Sequence, residues 1–335
     1  MEIKKTDITP IFIVGMNGSG TTMLADCINN HPAIYIHKVE TRIIPYYYFM
    51  PTRYGNLNIQ ENFDDLLFEF SNSYAFRVRN NGAPIDIQYD FSTISKKNLS
   101  TIIDMTFNFF AAQENKKIWG DHSPKYAAFI PCLIDLFPNS KIVHIIRDGR
   151  DCAVSFKRRF RQNIYRSIFQ WKDLVTKARK DGIKLGDRHY FEIKYEELTN
   201  NPEFHLKNLF DFLEVPFDEK VLISNMPMFG ENDTFVDLIN THSIVPNSEK
   251  WRKILKPKEI NKIEKIAGAL LNNLGYEVKN THGNEDINRS QLFFLKIIDK
   301  INASVAFYKR YKGPKKFRTF LQGIATSFKQ NKFYQ

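Results

Sequence analysis

Two short segments of this chain combine residue types that bind phosphate. The first is a glycine-rich turn from Gly15 to Thr22, which directly follows the apolar run that begins at Ile11. Such a turn between a strand and a helix directs backbone N–H groups and the positive end of the helix dipole at one point. Gly15 and Gly20 have P-loop spacing, but Thr21 stands where a P-loop has its lysine. Because that lysine holds the terminal phosphates of ATP or GTP, the sequence indicates a different phosphate ligand.

The second segment places an arginine and a serine after another apolar run. Arg147 follows residues 142–146, and Ser155 lies eight residues further along, within a predicted helix. A guanidinium can bind phosphate through two parallel hydrogen bonds, and a hydroxyl can add another. The carboxyl ends of parallel strands meet at one edge of a sheet. The two turns therefore predict a nucleotide that is phosphorylated at two separate places.

The elements that must position these turns alternate along the chain. Apolar runs predict strands that begin at Ile11 and Ile118 and that span 141–146 and 190–195. Helical periodicity predicts helices at 61–75, 98–114, 126–137, 154–180, 202–213 and 257–274. This alternation predicts an α/β fold, a P-loop-like parallel sheet flanked by helices on both faces, with a helical, basic C-terminal extension.

Composition limits the class of protein. The chain has 335 residues, 43% of them hydrophobic, and no run of eighteen apolar residues, so we expect no membrane-spanning helix. A strand that begins at Ile11 leaves no room for a signal peptide before it, which predicts a cytoplasmic protein. Cys27, Cys132 and Cys152 lack the spacing of metal ligands, so we expect reduced core cysteines and no metal.

The positive charge is concentrated near the C-terminus. The formal net charge is +11, and the stretch from Asp286 to Gln335 holds eleven Lys and Arg against two Asp. A polar candidate linker at 280–288 divides the chain into a domain at 1–279 and a basic tail at 280–335. The basic, aromatic tail suits peripheral contact with an anionic membrane at its inner face, although a solvated helix explains it equally well. No nucleic-acid-binding module is recognisable, so we expect no nucleic-acid partner.

Together these segments resemble the PAPS-dependent sulfotransferases, and most closely the tyrosylprotein sulfotransferases and their bacterial relatives. The resemblance covers roughly residues 10–275. It implies that the domain at 1–279 is a sulfotransferase, that the donor is PAPS (3′-phosphoadenosine-5′-phosphosulfate) and the product PAP, and that the acceptor bears a hydroxyl. The matching motifs are Gly15–Thr22, Asn30-His31-Pro32, Glu40-Thr41-Arg42, Trp119–Pro124, Arg147–Ser155 and Tyr195-Glu196-Glu197-Leu198.

The resemblance also implies which residues bind the donor. Arg147, Ser155 and Arg159 match the residues that hold the 3′-phosphate. Tyr195 matches a tyrosine that contacts the nucleotide, and Lys250 begins a late Lys-Trp-Arg element whose preceding loop closes over the donor. The residues that match the 5′-phosphosulfate turn are Asn17, Gly18, Ser19, Gly20, Thr21 and Thr22.

Two positions depart from the family pattern. Gly18 stands where the family has an arginine or lysine that contacts the transferring group, and His122-Ser123-Pro124 replaces a Lys-Thr-Pro. A replacement cation must then come from elsewhere, and Arg42, Lys125 and Lys38 are the nearest in sequence. Without such a cation, turnover is slow or the chain is an inactive relative.

The reaction needs a general base for the acceptor hydroxyl. Glu40 matches the glutamate that has this role in the tyrosylprotein branch, and Arg42 beside it can keep it ionised until it takes the proton. His122, oriented by the neighbouring Asp121, is the alternative base. It could equally be a neutral hydrogen-bond donor to the sulfonate or a structural residue of the turn.

We therefore interpret the chain as a cytoplasmic sulfotransferase that moves the sulfuryl group of PAPS, in line, to a hydroxyl or amine of a carbohydrate, a glycolipid or a small metabolite. Tyrosines at 46–48 and 54 could stack on such a sugar. Protein tyrosine is a less favoured acceptor. Two alternatives stay open, a P-loop nucleotide phosphotransferase and a nucleotide-binding relative without activity, such as a membrane adaptor.

Overall fold

The computed structural model describes residues 9–223, 228–229, 238–239, 244 and 246–311, and for 228–229, 238–239 and 303–311 it describes the backbone alone. The strands are β1 (Ile11–Gly15), β2 (Ile34–His37), β3 (Ile118–Asp121), β4 (Lys141–Ile146), β5 (Tyr190–Lys194), β6 (Met228–Phe229) and β7 (Leu238–Ile239). The helices are α1 (Thr21–Asn29), α2 (Ile44–Tyr48), α3 (Gln60–Ser71), α4 (Tyr74–Arg79), α5 (Leu99–Gln113), α6 (Ile130–Leu136), α7 (Gly149–Phe160), α8 (Ile164–Ile183), α9 (Tyr195–Asn200), α10 (Pro202–Leu213), α11 (Lys250–Ile254), α12 (Pro257–Asn273) and α13 (Arg289–Tyr311). Short 3₁₀ helices lie at Phe91–Thr93, Pro124–Ala128 and Glu219–Leu222.

Five of the strands form one parallel sheet in the order β2-β3-β1-β4-β5, and β6 pairs with β7 antiparallel. Every residue of β1 and β4 is buried, which is typical of a parallel strand that is covered on both faces. Successive side chains of β1 point to opposite faces, so Phe12 and Val14 join one apolar core while Ile11 and Ile13 join the other. The predicted parallel α/β sheet with helices on both faces is confirmed.

Three predicted helices are each divided in the structure. The helix predicted at 61–75 ends at Ser71, the last residue of α3. The next side chain, that of Asn72, makes two hydrogen bonds with the backbone of Ile85, at 2.8 and 2.9 Å. Pro131 lies in the first turn of α6, which begins at Ile130 after the 3₁₀ turn at 124–128, and proline suits that position. Arg161 has a φ of +56°, which separates α7 from α8.

The chain forms two compact units. The first unit contains residues 1–148 and 173–249, and it holds the parallel sheet. The second unit contains residues 149–172 and 250–335, and it holds α7, α11, α12 and α13. Within the second unit, the buried guanidinium of Arg150 lies 3.8 Å from the Trp251 ring and pairs with Glu264 at 3.5 Å. The division at residue 279 stays a prediction.

The C-terminal extension is helical over α13, and residues 312–335 of the predicted tail lie outside the described residues. Across the part of the chain that is described, no helix is both long and apolar enough to cross a bilayer.

Candidate active site

The first unit has a topological switch point between β1 and β4. These strands are neighbours, with Gly15 opposite Ile145, but the chain leaves β1 for β2 at one edge of the sheet and leaves β4 for β5 at the other. Connections that diverge in this way open a crevice at the carboxyl ends of the two strands, where α/β proteins bind ligands. The glycine-rich turn and Arg147 follow directly from these two ends.

The glycine-rich turn is built around positions that exclude a side chain. A Cβ on Gly15 would lie 2.6 Å from the carbonyl oxygen of Ile145, and one on Gly20 would lie 2.5 Å from the Tyr195 ring. Gly18 and Gly20 also have φ of +87° and +101°, which favour glycine. The turn closes through a 2.9 Å hydrogen bond from the Ser19 amide to the Met16 carbonyl.

The groups of this turn suit a bound anion. No side chain caps the N-terminus of α1, so its first amides and its positive dipole end face the turn. Ser19 is buried, and its hydroxyl has no hydrogen-bond partner among the described residues. A buried hydroxyl without a partner is costly unless a ligand or water satisfies it. Thr21 is buried beside it, and Asn17 and Thr22 are half-buried. These residues fit a phosphate-bearing ligand.

Arg147 joins the two sides of the crevice. Its Nη1 donates to the carbonyl oxygen of Gly18 at 3.0 Å, and its Nη2 donates to the carbonyl oxygen of Asn247. Its guanidinium carbon lies 4.3 Å from the centre of the Tyr195 ring, a cation–π distance. The structure thus brings Arg147, Tyr195 and the turn together. The positive charge beside Gly18 comes from Arg147, which directly follows β4 and lies 129 residues further along the chain.

Glu40 and Arg42 lie in the turn after β2. Oε2 of Glu40 accepts two hydrogen bonds from the Arg42 guanidinium, one of them from Nε at 2.6 Å. The Glu40 side chain is 22% exposed, so it is accessible to solvent. Arg42 has a φ of +58°, uncommon for a residue with a side chain, so contacts around the turn must hold its backbone.

His122 is buried directly after β3, and its partner differs from the one that the sequence suggested. Nδ1 of His122 donates to the carbonyl oxygen of His37 at 2.8 Å, and the Asp121 carboxyl bonds to Thr41 and Ser123 instead. Burial lowers the pKa of His122, which favours the neutral ring. Because a carbonyl only accepts, the neutral ring carries its proton on Nδ1 and Nε2 is an acceptor. This geometry argues against a neutral ring that donates through Nε2.

The tyrosine-rich stretch serves the packing of the protein. Tyr47 is buried in the core that contains Phe70, with ring centroids 5.2 Å apart. Arg53 lies 5.7 Å from the Tyr46 ring and 5.3 Å from the Tyr54 ring. These contacts engage Tyr46, Tyr47 and Tyr54, and the sugar-stacking role stays a prediction.

The second unit carries the remaining predicted donor-binding residues. Ser155 and Arg159 lie one turn apart on α7, so both side chains occupy one face of that helix. Lys250 is the first residue of α11, and the next amide, that of Trp251, donates to Asp151 on α7 at 2.9 Å. This bond fixes the start of α11 against α7. No group of three or more His, Cys, Asp or Glu side chains in the described part of the chain could hold a metal ion.

A model of the sulfotransferase family matches residues 10–219 of this chain. The match covers 210 residues, well over half of the chain, and includes every predicted site residue except Lys250.

This chain is also similar to individual proteins that are named as sulfotransferases. The chain is 24% identical over 290 residues to protein-tyrosine sulfotransferase A of Caenorhabditis elegans, covering 80% of this chain and 67% of that protein. It is 23% identical over 277 residues to a protein-tyrosine sulfotransferase of Drosophila melanogaster, covering 78% of this chain and about half, 47%, of that protein. The sulfotransferase domain of the Synechococcus PCC 7002 olefin synthase has the same fold, with a TM-score of 0.50, 21% identity, and coverage of 83% of this chain and 100% of the domain.

Proposed function

This chain belongs to the sulfotransferase family of enzymes, and on that premise we propose that it transfers the sulfuryl group of PAPS to a hydroxyl of a carbohydrate or lipid-linked acceptor. The observation that carries the donor assignment is the crevice between β1 and β4, where Arg147 bonds to Gly18 and stacks on Tyr195. The acceptor class stays the prediction of the sequence. When bound, the donor supplies a sulfuryl group whose bond to the 5′-phosphate breaks as the acceptor oxygen bonds to sulfur.

The residues of the glycine-rich turn hold the 5′-phosphosulfate in this proposal. The first amides of α1 and the hydroxyls of Ser19 and Thr21 donate to its oxygens, which satisfies the buried Ser19 hydroxyl. The guanidinium of Arg147 bonds to the carbonyl oxygen of Gly18 at the edge of this turn. Its assignment to the 3′-phosphate, together with Ser155, Arg159 and Lys250, rests on the sequence motifs.

Glu40 is the general base in this proposal. Its carboxylate takes the proton of the acceptor hydroxyl, and Arg42, already bonded to it, balances the charge of the pair before that transfer. His122 is the second candidate, because its neutral Nε2 is an acceptor. Glu40 lies after the carboxyl end of β2, and His122 lies after the carboxyl end of the neighbouring strand β3.

A transfer assay tests the acceptor. The full chain is incubated with PAPS that carries radiolabelled sulfate and, separately, with an oligosaccharide, a glycolipid in detergent, and a tyrosine-containing acidic peptide. We expect label in the oligosaccharide or the glycolipid. Label in the peptide alone would overturn the acceptor class and would place this chain beside the relatives named for protein tyrosine.

The exposed face of α13 supports peripheral contact with an anionic membrane. Five apolar side chains share one face of this helix and are exposed, including Phe293 at 61% and Phe294 at 63%; the others are Ile297, Ile298 and Ile301. Asp299, on the opposite face, is buried and pairs with Arg166. An apolar face within a strongly basic segment is typical of helices that lie in the membrane interface.

Co-sedimentation with vesicles tests this contact. We expect the wild-type chain to pellet with phosphatidylserine-containing vesicles more than with neutral ones, and the double variant Phe293→Ser/Phe294→Ser to lose most of that binding. Phe204→Ser on α10 is the control, because Phe204 is 54% exposed but lies outside α13. Equal pelleting of the double variant and the control would contradict membrane contact through α13.

A further inference from the structure

A buried carboxyl group lies beneath the turn that carries Glu40 and Arg42. Asp121 is the last residue of β3 and is fully buried, in register with His37, the last residue of β2. Buried carboxyl groups are rare unless they are paired, and each needs hydrogen-bond donors. The donors here come from the turn itself and from the segment after β3.

Hydrogen bonds connect Asp121 to three points of the turn. The Thr41 hydroxyl donates to Oδ2 of Asp121, and the Tyr126 hydroxyl lies 2.8 Å from the Thr41 hydroxyl. Tyr126 in turn accepts from the Ile44 amide at 3.1 Å. On the other side, the Ser123 hydroxyl lies 3.2 Å from Oδ1 of Asp121, and Ser123 Oγ accepts from the Arg42 amide at 3.2 Å.

Each hydrogen bond of this network has a defined donor and acceptor when Asp121 is ionised. A carboxylate accepts from both Thr41 and Ser123, which leaves Tyr126 to donate to Thr41 and to accept from Ile44. A neutral carboxyl or a carboxamide must donate to one of these hydroxyls, which reverses the bond that this hydroxyl makes to the carboxylate. The ionised form therefore fixes the backbone of the turn, including the left-handed conformation of Arg42.

We propose that Asp121 is a positioning residue for sulfuryl transfer, which acts by holding the 41–44 backbone so that Glu40 and Arg42 stay aligned with the acceptor. This inference rests on the proposed role of Glu40. It predicts that losing the carboxylate lowers the rate of transfer while donor binding, which depends on the turn after β1, is unchanged.

The groups around Asp121 determine how it titrates. Burial, and to a lesser extent the negative charge of Glu40, raise the pKa of Asp121 to about 7, against the hydrogen bonds from Thr41 and Ser123. The other titratable or charged groups near it are His122, Arg42, Tyr126, and Tyr35 and His37 on β2. As the pH rises through neutrality, Asp121 ionises and the turn becomes fixed, so kcat should rise over this range.

Two disruptive variants, one conservative variant and one control test the proposal. Asp121→Asn keeps the shape but cannot ionise, and Thr41→Val removes the hydroxyl that Thr41→Ser restores. Asp104→Asn is the matched control, since Asp104 accepts from the Trp119 indole at 2.7 Å, and burial raises its pKa to about 6, but this bond joins α5 to β3 and not to the turn.

Three measurements are made on the full chain: PAP affinity by calorimetry, kcat as a function of pH with saturating PAPS, and amide hydrogen exchange of the peptide that spans 38–48. For Asp121→Asn and Thr41→Val we expect kcat to fall by about 10- to 100-fold, the usual effect of misplaced groups. We expect exchange in the peptide to become about fivefold faster or more, as for one lost hydrogen bond. PAP affinity should not change, Thr41→Ser should recover both values, and the rise of kcat near neutral pH should vanish in Asp121→Asn.

Several results would overturn the proposal. Wild-type kcat or wild-type exchange in Asp121→Asn, or equal effects of Thr41→Ser and Thr41→Val, would each do so. An equal loss of kcat in Asp104→Asn would assign the effect to general destabilisation. If the wild-type chain transfers no sulfuryl group at all, the proposed function fails, and the exchange of the 38–48 peptide still decides whether Asp121 holds the turn.

Discussion

Removing the guanidinium of Arg147 perturbs the crevice at its central point. Arg147→Ala removes the 3.0 Å bond to Gly18, the bond to Asn247 and the contact 4.3 Å from the Tyr195 ring. A hydrogen bond from a charged group contributes about 1.5–3 kcal/mol, and a cation–π contact about 0.5–2 kcal/mol. These contributions overlap, so we expect the free energy of unfolding to fall by about 2–3 kcal/mol.

The effect on ligand binding should be as large. Loss of one bidentate contact to a phosphate weakens binding by about 3 kcal/mol, which is roughly 100-fold in the Kd for PAP. Arg147→Lys keeps the charge but cannot bind a phosphate through two parallel hydrogen bonds, so its affinity for PAP should be intermediate. The assay is calorimetric titration with PAP, after urea unfolding has shown that each variant is folded at the temperature used.

Arg179→Ala is the control for this prediction. Arg179 bonds twice to Glu192, at 2.9 and 3.1 Å, so its removal also costs stability, but it lies on α8 and contacts neither the glycine-rich turn nor Tyr195 through these bonds. Its PAP affinity should equal that of the wild type. Wild-type affinity in a folded Arg147→Ala, or an equal loss in Arg179→Ala, would refute the assignment of Arg147 to the donor.

Three further predictions concern the general base, the glycine-rich turn, and the stability of the protein at acid pH. Glu40→Gln should keep PAP affinity and lower kcat by roughly 100-fold or more, the usual contribution of a positioned base, and His122→Ala should lower it less; the reverse ranking in a transfer assay would make His122 the base. Gly20→Ala should weaken PAP binding strongly because its Cβ would lie 2.5 Å from the Tyr195 ring, whereas Gly82→Ala, also at positive φ but with open space, should bind PAP normally; equal binding by the two variants would contradict the steric reasoning. Burial lowers the pKa of His144 to about 3, so its contribution to the free energy of unfolding is present above pH 6.5 and is lost as the pH falls toward 3. In urea unfolding between pH 6 and 4, His144→Gln should reduce the slope of the free energy of unfolding against pH by up to about 1.4 kcal/mol per pH unit, and an unchanged slope would contradict this.

The sequence predicts much of the fold because its signals are local. The strand at 141–146 and the helix at 202–213 have the predicted bounds, since a mainly apolar run and a 3.6-residue period each arise within one segment. The helix predicted at 61–75 ends early because Asn72 bonds to Ile85, thirteen residues away, and no local pattern signals such a bond. The glycine-rich turn and Arg147 were identifiable because their spacing along the chain is itself the motif.

The rest of the site depends on contacts between distant segments. Thr41 meets Asp121 from 80 residues away, and Arg147 reaches the carbonyl of Asn247 across 100 residues. The adjacency of Asp121 and His122 suggested that one orients the other, but successive residues of an extended strand point to opposite sides, and His122 turns to the His37 carbonyl. The positioning role of Asp121 therefore becomes visible only when β2 and β3 are side by side.

The nucleotide that the crevice binds tests most directly whether this crevice holds a sulfuryl donor. Calorimetric titration of the full chain with PAP, and separately with ATP, measures this without any choice of acceptor. We expect PAP to bind at one site per chain and at least 100-fold more tightly than ATP, about 3 kcal/mol, because Thr21 replaces the lysine that holds terminal phosphates. Equal affinity for the two nucleotides, or binding of ATP alone, would contradict the assignment of this crevice to a sulfuryl donor.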